Sequence, residues 1–260
     1  MPITPESVLL TGRRAVVTGA AQGIGAAIAT TFARFGADLA VCDRDADGLA
    51  RTTEEIIANG RHAHTELLDV RDGDAVREWI GALATVDVLV NNAGGGFVAP
   101  FAEVNDKGQD ALIRENFVSV THCIRACVEK MPDRGGSIVN ITSIEAHRAA
   151  PGYAVYSAMK AAVENLTKTL ALELGGRRIR VNCIAPDVIP TPGIGDVPVK
   201  TPLPYAGHVD DVVAAALYLA SDWARFVTGT TIHVDGGNLA AGGWGRAADG
   251  NWVTAGEPTE

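Results

Sequence analysis

Tyr156 and Lys160 stand four residues apart in the segment Tyr156-Ser157-Ala158-Met159-Lys160. On a helix that spacing sends both side chains out of one face, one turn apart. A free phenol titrates near pH ~10 and is a poor base at neutrality. A neighbouring ammonium stabilises the phenolate, lowers that pKa and brings the phenol toward the range useful for general acid–base catalysis. The pair points to proton exchange with a hydroxyl or carbonyl oxygen. Ser143 precedes Tyr156 by thirteen residues, just after the run Ile138-Val139-Asn140-Ile141, where its hydroxyl could hold the same oxygen. Tyr153 serves as a control, because the residue four positions after it is Ser157, not a lysine.

A second constellation lies near the N-terminus. Thr18-Gly19-Ala20-Ala21-Gln22-Gly23-Ile24-Gly25 follows an apolar run and opens a helical pattern. Glycines there permit a tight turn and close backbone approach, and a helix N-terminus offers N–H groups and a favourable dipole to a pyrophosphate. Taken alone, the loop also fits a plain strand-to-helix turn. Asp43 lies eighteen residues beyond Gly25, where a dinucleotide fold places the carboxylate that bonds the adenine ribose hydroxyls. It favours NAD over NADP, since a carboxylate repels a 2′-phosphate. Arg44 argues the other way, because a guanidinium can pair with that phosphate. Asp69-Val70, after a further strand, is placed to sit beside the adenine; by itself Asp69 also reads as a helix N-cap.

These residues require a scaffold that brings distant segments to one end. From Arg14 onward, short apolar runs alternate with longer helical patterns. The runs are Ala15–Val17, Leu39–Val41, Val86–Val90, Ser137–Ile141, Ile179–Cys183 and Thr230–Val234. The helical patterns cover Gly25–Phe35, Asp47–Asn59, Asp72–Leu83, Asp106–Lys130, Tyr156–Leu174 and Val209–Leu219. Met159, Ala162, Val163, Leu166, Leu170 and Leu174 give the clearest helical period. The alternation predicts βαβ units and an α/β, Rossmann-like doubly wound parallel sheet of about seven strands, helices on both faces. Residues 187–204, rich in proline and glycine, read as an irregular loop, and 239–260, with Trp244 and Trp252, as a tail without clear period.

At 260 residues, 47% of them hydrophobic, the chain suits one domain over 1–260. A net charge of −9 without a basic run excludes nucleic acid as an expected partner. Cys42, Cys123, Cys127 and Cys183 are scattered, which fits buried thiols in a reducing cytoplasm. His62 and His64 alternate on a short strand without a third ligand, so no metal is expected. Neither a signal segment nor a membrane-spanning stretch is found, and a soluble, cytoplasmic protein is expected.

The ordered set of motifs resembles the short-chain dehydrogenase/reductase family, in its branch of about 250 residues. Thr18-Gly19-(three residues)-Gly23-Ile24-Gly25 is similar to the family's cofactor motif, and Asn91-Asn92-Ala93-Gly94 to the segment that runs along the cofactor. Asn116, Ser143, Tyr156 and Lys160 match its catalytic tetrad; Ala220-Ser221-Asp222, Thr228-Gly229 and Val234-Asp235-Gly236-Gly237 match its last helix-to-strand segment. The resemblance spans Leu10 to Gly237. It implies a hydride transfer at a nicotinamide, with Tyr156 exchanging the substrate's proton and Lys160 binding the nicotinamide ribose. It further implies a water held by Asn116 behind Lys160. Asn116 taken alone reads as a structural residue bonding a helix backbone. The resemblance also assigns cofactor contacts to Pro186, to the Ile189 backbone and to Thr191. It puts Glu145 and Tyr153 in the substrate pocket and implies a homotetramer, or a homodimer.

The sequence also departs from the family. Pro186-Asp187 stands where the family usually has Pro-Gly. Asp187 either faces the nicotinamide and substrate or turns into solvent, with solvent favoured. Glu145 or His147 could bind a polar substrate group, but by default they read as a solvated loop pair. Only ten residues separate Thr191 from Pro202, so the usual helical lid is shortened and stiffened by proline. Trp244 or Trp252 could cover an active site instead, or the tail could pack at an interface or fray. The expected reaction is interconversion of a secondary alcohol and a ketone with NAD, on a bulky cyclic or steroid-like substrate. A sugar-like polyol is a further candidate substrate, a 3-oxoacyl-thioester reductase using NADPH is the alternative, and a non-catalytic nucleotide-sensing scaffold the alternative of another class.

Overall fold

The computed structural model describes residues 2–192, 194, 199, 201–247 and 251–254. Seven parallel strands form one sheet in the order β3-β2-β1-β4-β5-β6-β7. They are β1 (Arg14–Thr18), β2 (Asp38–Asp43), β3 (Ala63–Leu67), β4 (Val88–Asn91), β5 (Gly136–Ile141), β6 (Ile179–Pro186) and β7 (Thr231–Val234). The order reverses between β1 and β4, and in such sheets ligands bind outside the carboxyl ends of the strands at that switch point.

Alternation along each strand builds two cores. Val17, Val41, Val90 and Ile184 face α1 (Gly23–Arg34), α2 (Ala46–Ala58) and α7 (Val209–Ala220), whose Phe32, Ile56 and Val212 are fully buried. Val16, Cys42, Leu89 and Val181 face α3 (Gly73–Gly81), α5 (Ser119–Lys130) and α6 (Ala154–Glu173), through Trp79, Ile124 and Val163. Burial on both faces accounts for strands that read as continuous apolar runs. All four cysteines are free and buried, as expected.

Two elements differ from the sequence reading. The single helix expected over Asp106–Lys130 is α4 (Asp106–Ile113) and α5 joined by a π-helical turn at Arg114–Val118. The tail is ordered into α8 (Asn238–Ala241) and an antiparallel hairpin of β8 (Trp244–Arg246) and β9 (Trp252–Thr254). Trp244 and Trp252 belong to alternate pairs of that hairpin, Trp244 opposite Thr254 and Arg246 opposite Trp252, so the two indoles share one face. Both are about half exposed. Within 187–204 the described residues form no helix or strand, and Gly193, Gly195 and Lys200 lie outside the described residues. Among the described residues no helix is long and apolar enough to cross a membrane, and no group of three or more His, Cys, Asp or Glu could hold a metal.

Candidate active site

The carboxyl ends of β1, β4, β5 and β6 bring the two constellations together. At the end of β1, Gly19 and Gly23 adopt φ of +68° and +58°, and Gly23 starts α1. A Cβ on Gly25 would lie 2.0 Å from the Gly19 carbonyl oxygen and 2.4 Å from Asn92 Nδ2, so only glycine fits there. Asn92 fixes the loop by donating from Nδ2 to the carbonyls of Thr18 (3.1 Å) and Gly19 (3.0 Å). Thr18 Oγ1 in turn accepts from the backbone N–H of Asn92 and of Ala93, each at 3.1 Å. Gln22 is the N-cap of α1 and makes no side-chain cap, and Ile24 lies in the first turn. This is a glycine cradle at a helix N-terminus, the arrangement that receives a pyrophosphate.

At the adenosine end, Asp43 Oδ2 accepts from the Ala21 N–H (2.9 Å), and Oδ1 from those of Arg44 (2.7 Å) and Asp45 (3.1 Å). The Arg44 guanidinium lies 3.4 Å from Glu115 and 3.8 Å from Asp69. Asp69 is gripped chiefly by Arg71, at 2.5 Å, and that hydrogen bond holds its carboxyl below the usual range. Val70 beside it is buried. Glu115 is not visible as a partner of Arg44 in the sequence, because the fold brings it in from the π-helical turn 71 residues away, whereas Arg71 is only two residues from Asp69.

Tyr156 and Lys160 occupy the first two turns of α6, as their spacing predicts. Lys160 is buried; its Nζ donates to the Ile141 carbonyl at the end of β5 (3.1 Å) and lies 5.5 Å from the centre of the Tyr156 ring. A buried polar chain seats this helix: Asn91 Nδ2 donates to Asn140 Oδ1, and Asn140 Nδ2 to Thr167 Oγ1, both at 2.8 Å. Ser143 stands next to Tyr156, near enough for its hydroxyl to favour the phenolate, and its Oγ accepts from the Glu145 N–H at 3.2 Å.

Asn116 lies in the π-helical turn, a local widening that often marks a functional site. Its amide donates to the carbonyls of Gly95 (2.8 Å) and Leu112 (3.0 Å), and its Oδ1 accepts from the Gly95 N–H (3.2 Å). It therefore acts as the helix-bonding structural residue and also holds the loop after β4. A Cβ on Gly94 would meet Asn116 Oδ1 at 2.9 Å and Lys160 Nζ at 3.1 Å, so this loop is glycine because it lies against both.

The electrostatics depart from the spacing argument. Burial pushes the Tyr156 phenol up, the Ser143 hydrogen bond opposes that, and the Glu145 carboxylate adds to the rise. Burial also lowers the Lys160 ammonium from the ordinary 10.5 to about 8. The expected depression of Tyr156 by Lys160 does not appear: burial dominates the phenol, and the ammonium is directed at the Ile141 carbonyl.

The mouth is more charged than the sequence suggests. Asp187 does not turn into solvent: its side chain is 12% exposed, and Oδ2 accepts from Asn238 Nδ2 at 2.7 Å. Nor are Glu145 and His147 a solvated pair. Glu145 binds Arg148 at 2.8 Å, and His147 faces Glu164 at 3.3 Å and the His233 ring at 4.5 Å between centres. Tyr153 stands edge-on to Tyr156, 6.0 Å between ring centres. Pro186 ends β6, Ile189 is buried and Thr191 lies next to Gly23, whose added Cβ would be 3.3 Å from Thr191 Cγ2.

A doubly wound sheet with a glycine cradle at its switch point, and a serine, tyrosine and lysine beside it, defines a nicotinamide-dependent oxidoreductase. Comparison with known proteins agrees. The family model described as enoyl-(acyl carrier protein) reductase matches residues 19–238. Gluconate 5-dehydrogenase of Gluconobacter oxydans is 37% identical over 248 residues, 90% of this chain and 97% of its own. The 3-oxoacyl-[acyl-carrier-protein] reductase of Thermotoga maritima is 36% identical, over 88% and 98%. The structure of a 7α-hydroxysteroid dehydrogenase complexed with NADH and 7-oxo glycochenodeoxycholic acid superposes with a TM-score of 0.85 at 33% identity, covering 91% and 98%. The chain belongs to the short-chain dehydrogenase/reductase family.

Proposed function

We propose that the chain interconverts a secondary alcohol and a ketone with NAD, Tyr156 acting as general acid and base. The observation that carries this reading is buried Lys160, its Nζ 5.5 Å from the centre of the Tyr156 ring and Ser143 next to that phenol, at the strand ends that also hold the glycine cradle. Bound nicotinamide supplies the hydride acceptor or donor. Gly19, Gln22, Gly23, Ile24 and Gly25 would receive its pyrophosphate, and a cradle with no room for a Cβ at Gly25 suits that group. Asn92, Ala93, Gly94, Pro186, Ile189 and Thr191 would line the rest, with Val70 and Asp69 at the adenine.

In this reading Ser143 holds the substrate oxygen and Tyr156 takes its proton during oxidation or returns it during reduction. Lys160 would bond the nicotinamide ribose and stabilise the phenolate, and the π-helical turn carrying Asn116 would hold a water behind Lys160. NAD is favoured because Asp43 ends β2, where a dinucleotide fold has its ribose-binding carboxylate, and Arg44 is engaged by Glu115 and Asp69, which reduces its availability to a phosphate. A bulky cyclic substrate is favoured by apolar groups at the mouth: Phe97, Val98 and Val188 are each 45% exposed or more. The thioester reading with NADPH draws support from the Thermotoga relative, but the carboxylates at the mouth disfavour an anionic carrier. A non-catalytic scaffold has no use for the tyrosine–lysine pair. Cytoplasmic residence and a homotetramer complete the proposal.

A panel of secondary alcohols and ketones with both cofactors tests this reading. Turnover of at least one alcohol, faster with NAD, is expected. No turnover on any member with either cofactor contradicts it.

A further inference from the structure

Four polar side chains at the ends of β5, β6 and β7 have no part in the reaction as described. Glu145, two residues past Ser143, receives Arg148 Nε at 3.3 Å and Nη2 at 2.8 Å. Arg148 Nη2 lies 3.9 Å from Asp187 Oδ1, and the other oxygen of Asp187 is held by Asn238 at 2.7 Å. The backbone N–H of Asp187 donates to the Val234 carbonyl at 3.1 Å, which fixes the residue between the ends of β6 and β7. Side-chain exposure is 33% at Arg148, 21% at Glu145 and 12% at Asp187. The guanidinium and the Glu145 carboxylate are therefore the open end of the row, and Asp187 with Asn238 its fixed end.

The row reaches the chemistry at Glu145, whose N–H donates to Ser143 Oγ at 3.2 Å. It presents an acceptor and a donor side by side, the requirement for binding a hydroxyl, which gives one hydrogen bond and accepts others. Its charge selects among substituents. Glu145, Arg148 and Asp187 together carry one net negative charge, and the Asp235 carboxylate is close enough to reinforce the Arg148 cation. A carboxylate or phosphate entering here would have to displace Glu145 and would meet an acidic field. Resting on the alcohol–ketone reading above, we infer that Glu145 and Arg148 bind a second, neutral hydroxyl of the substrate, adjacent to the reacting carbon, with Asp187 and Asn238 as positioning residues.

The experiment measures kcat and KM with NAD for matched alcohols: cyclohexanol against cyclohexane-1,2-diol, butan-2-ol against butane-2,3-diol, and lactate as the anionic counterpart. The wild-type chain is expected to prefer the diol of each pair. Arg148→Met and Glu145→Gln are expected to lower the diol-to-monool ratio of kcat/KM about tenfold, mainly through KM, with Arg148→Lys keeping part of it. Asp187→Gly should lower the ratio less, as befits a positioning residue. A wild type indifferent to the second hydroxyl, a ratio unmoved in both Arg148→Met and Glu145→Gln, or a preference for lactate that depends on Arg148 overturns the inference. Failure of every alcohol with either cofactor instead contradicts the oxidoreductase reading, and the inference falls with it.

Discussion

Lys160 meets opposing demands: its charge helps a phenol ionise, yet it is buried and its pKa falls to about 8. Linkage fixes the sign of the consequence for stability. The folded-state value lies below the ordinary 10.5, so the folded chain binds fewer protons between about 8 and 10.5, and stability rises with pH across that window. Denaturant titration of wild type against Lys160→Met should show the wild type gaining relative stability from pH 8 to 10.5; parallel curves would contradict the burial argument. Gly25 permits an equally direct test. An alanine there meets the Gly19 carbonyl, so Gly25→Ala should weaken NAD binding at least tenfold in calorimetry, unless the protein fails to fold. At this scale the sequence is most readable where partners share a helix, as Tyr156 and Lys160 do. The Asn238–Asp187 pair is not legible because its members come from different strand ends, whereas Arg148 and Glu145 are only three residues apart in an irregular loop that gives no period to read.

Asn116 shows what an element adds to a residue. Periodicity over Asp106–Lys130 reads as one helix, because a π-helical turn widens the backbone without interrupting the apolar pattern. The widened turn sets the Asn116 amide against Gly95, and Gly95 belongs to the loop that passes Lys160. Asn116→Ala should therefore cost about 1–3 kcal/mol in chemical denaturation, the price of removing the partner of the part-buried Gly95 backbone groups and of the buried Leu112 carbonyl. It should also lower kcat, since the loop along the cofactor loosens; an unchanged stability and kcat would deny the turn this role. The parallel sheet was legible because β-branched runs alternate with amphipathic helices. The tail was not, since three-residue strands are too short to show a period. Asn238 begins that tail, so trimming the chain after Gly237 removes the partner of Asp187. An increase in KM is expected; unchanged turnover and affinity would separate the tail from the site.

The whole molecule gathers the site at one edge of the sheet, where strand ends from residues 18 to 234 meet. Half of the site rests on the order reversal between β1 and β4 and half on α6 seated by the Asn91–Asn140–Thr167 chain, so the glycine cradle and the Tyr156–Lys160 pair have a common rigid base. Leu172 and Phe226 are among the most exposed apolar residues, at 83% and 100%, side chains that the proposed assembly would cover. Light scattering should return four times the chain mass of 27.1 kDa; a monomer would contradict the proposed tetramer while leaving the chemistry untouched. The chemistry itself stands on Tyr156. The most direct test follows NAD reduction by the best secondary alcohol in wild type and in Tyr156→Phe, with cofactor binding measured in parallel. The phenylalanine variant should bind NAD normally and lose a factor of about 10²–10⁴ in kcat; turnover at the wild-type rate in that variant would contradict the assignment of Tyr156 as the proton-transferring group.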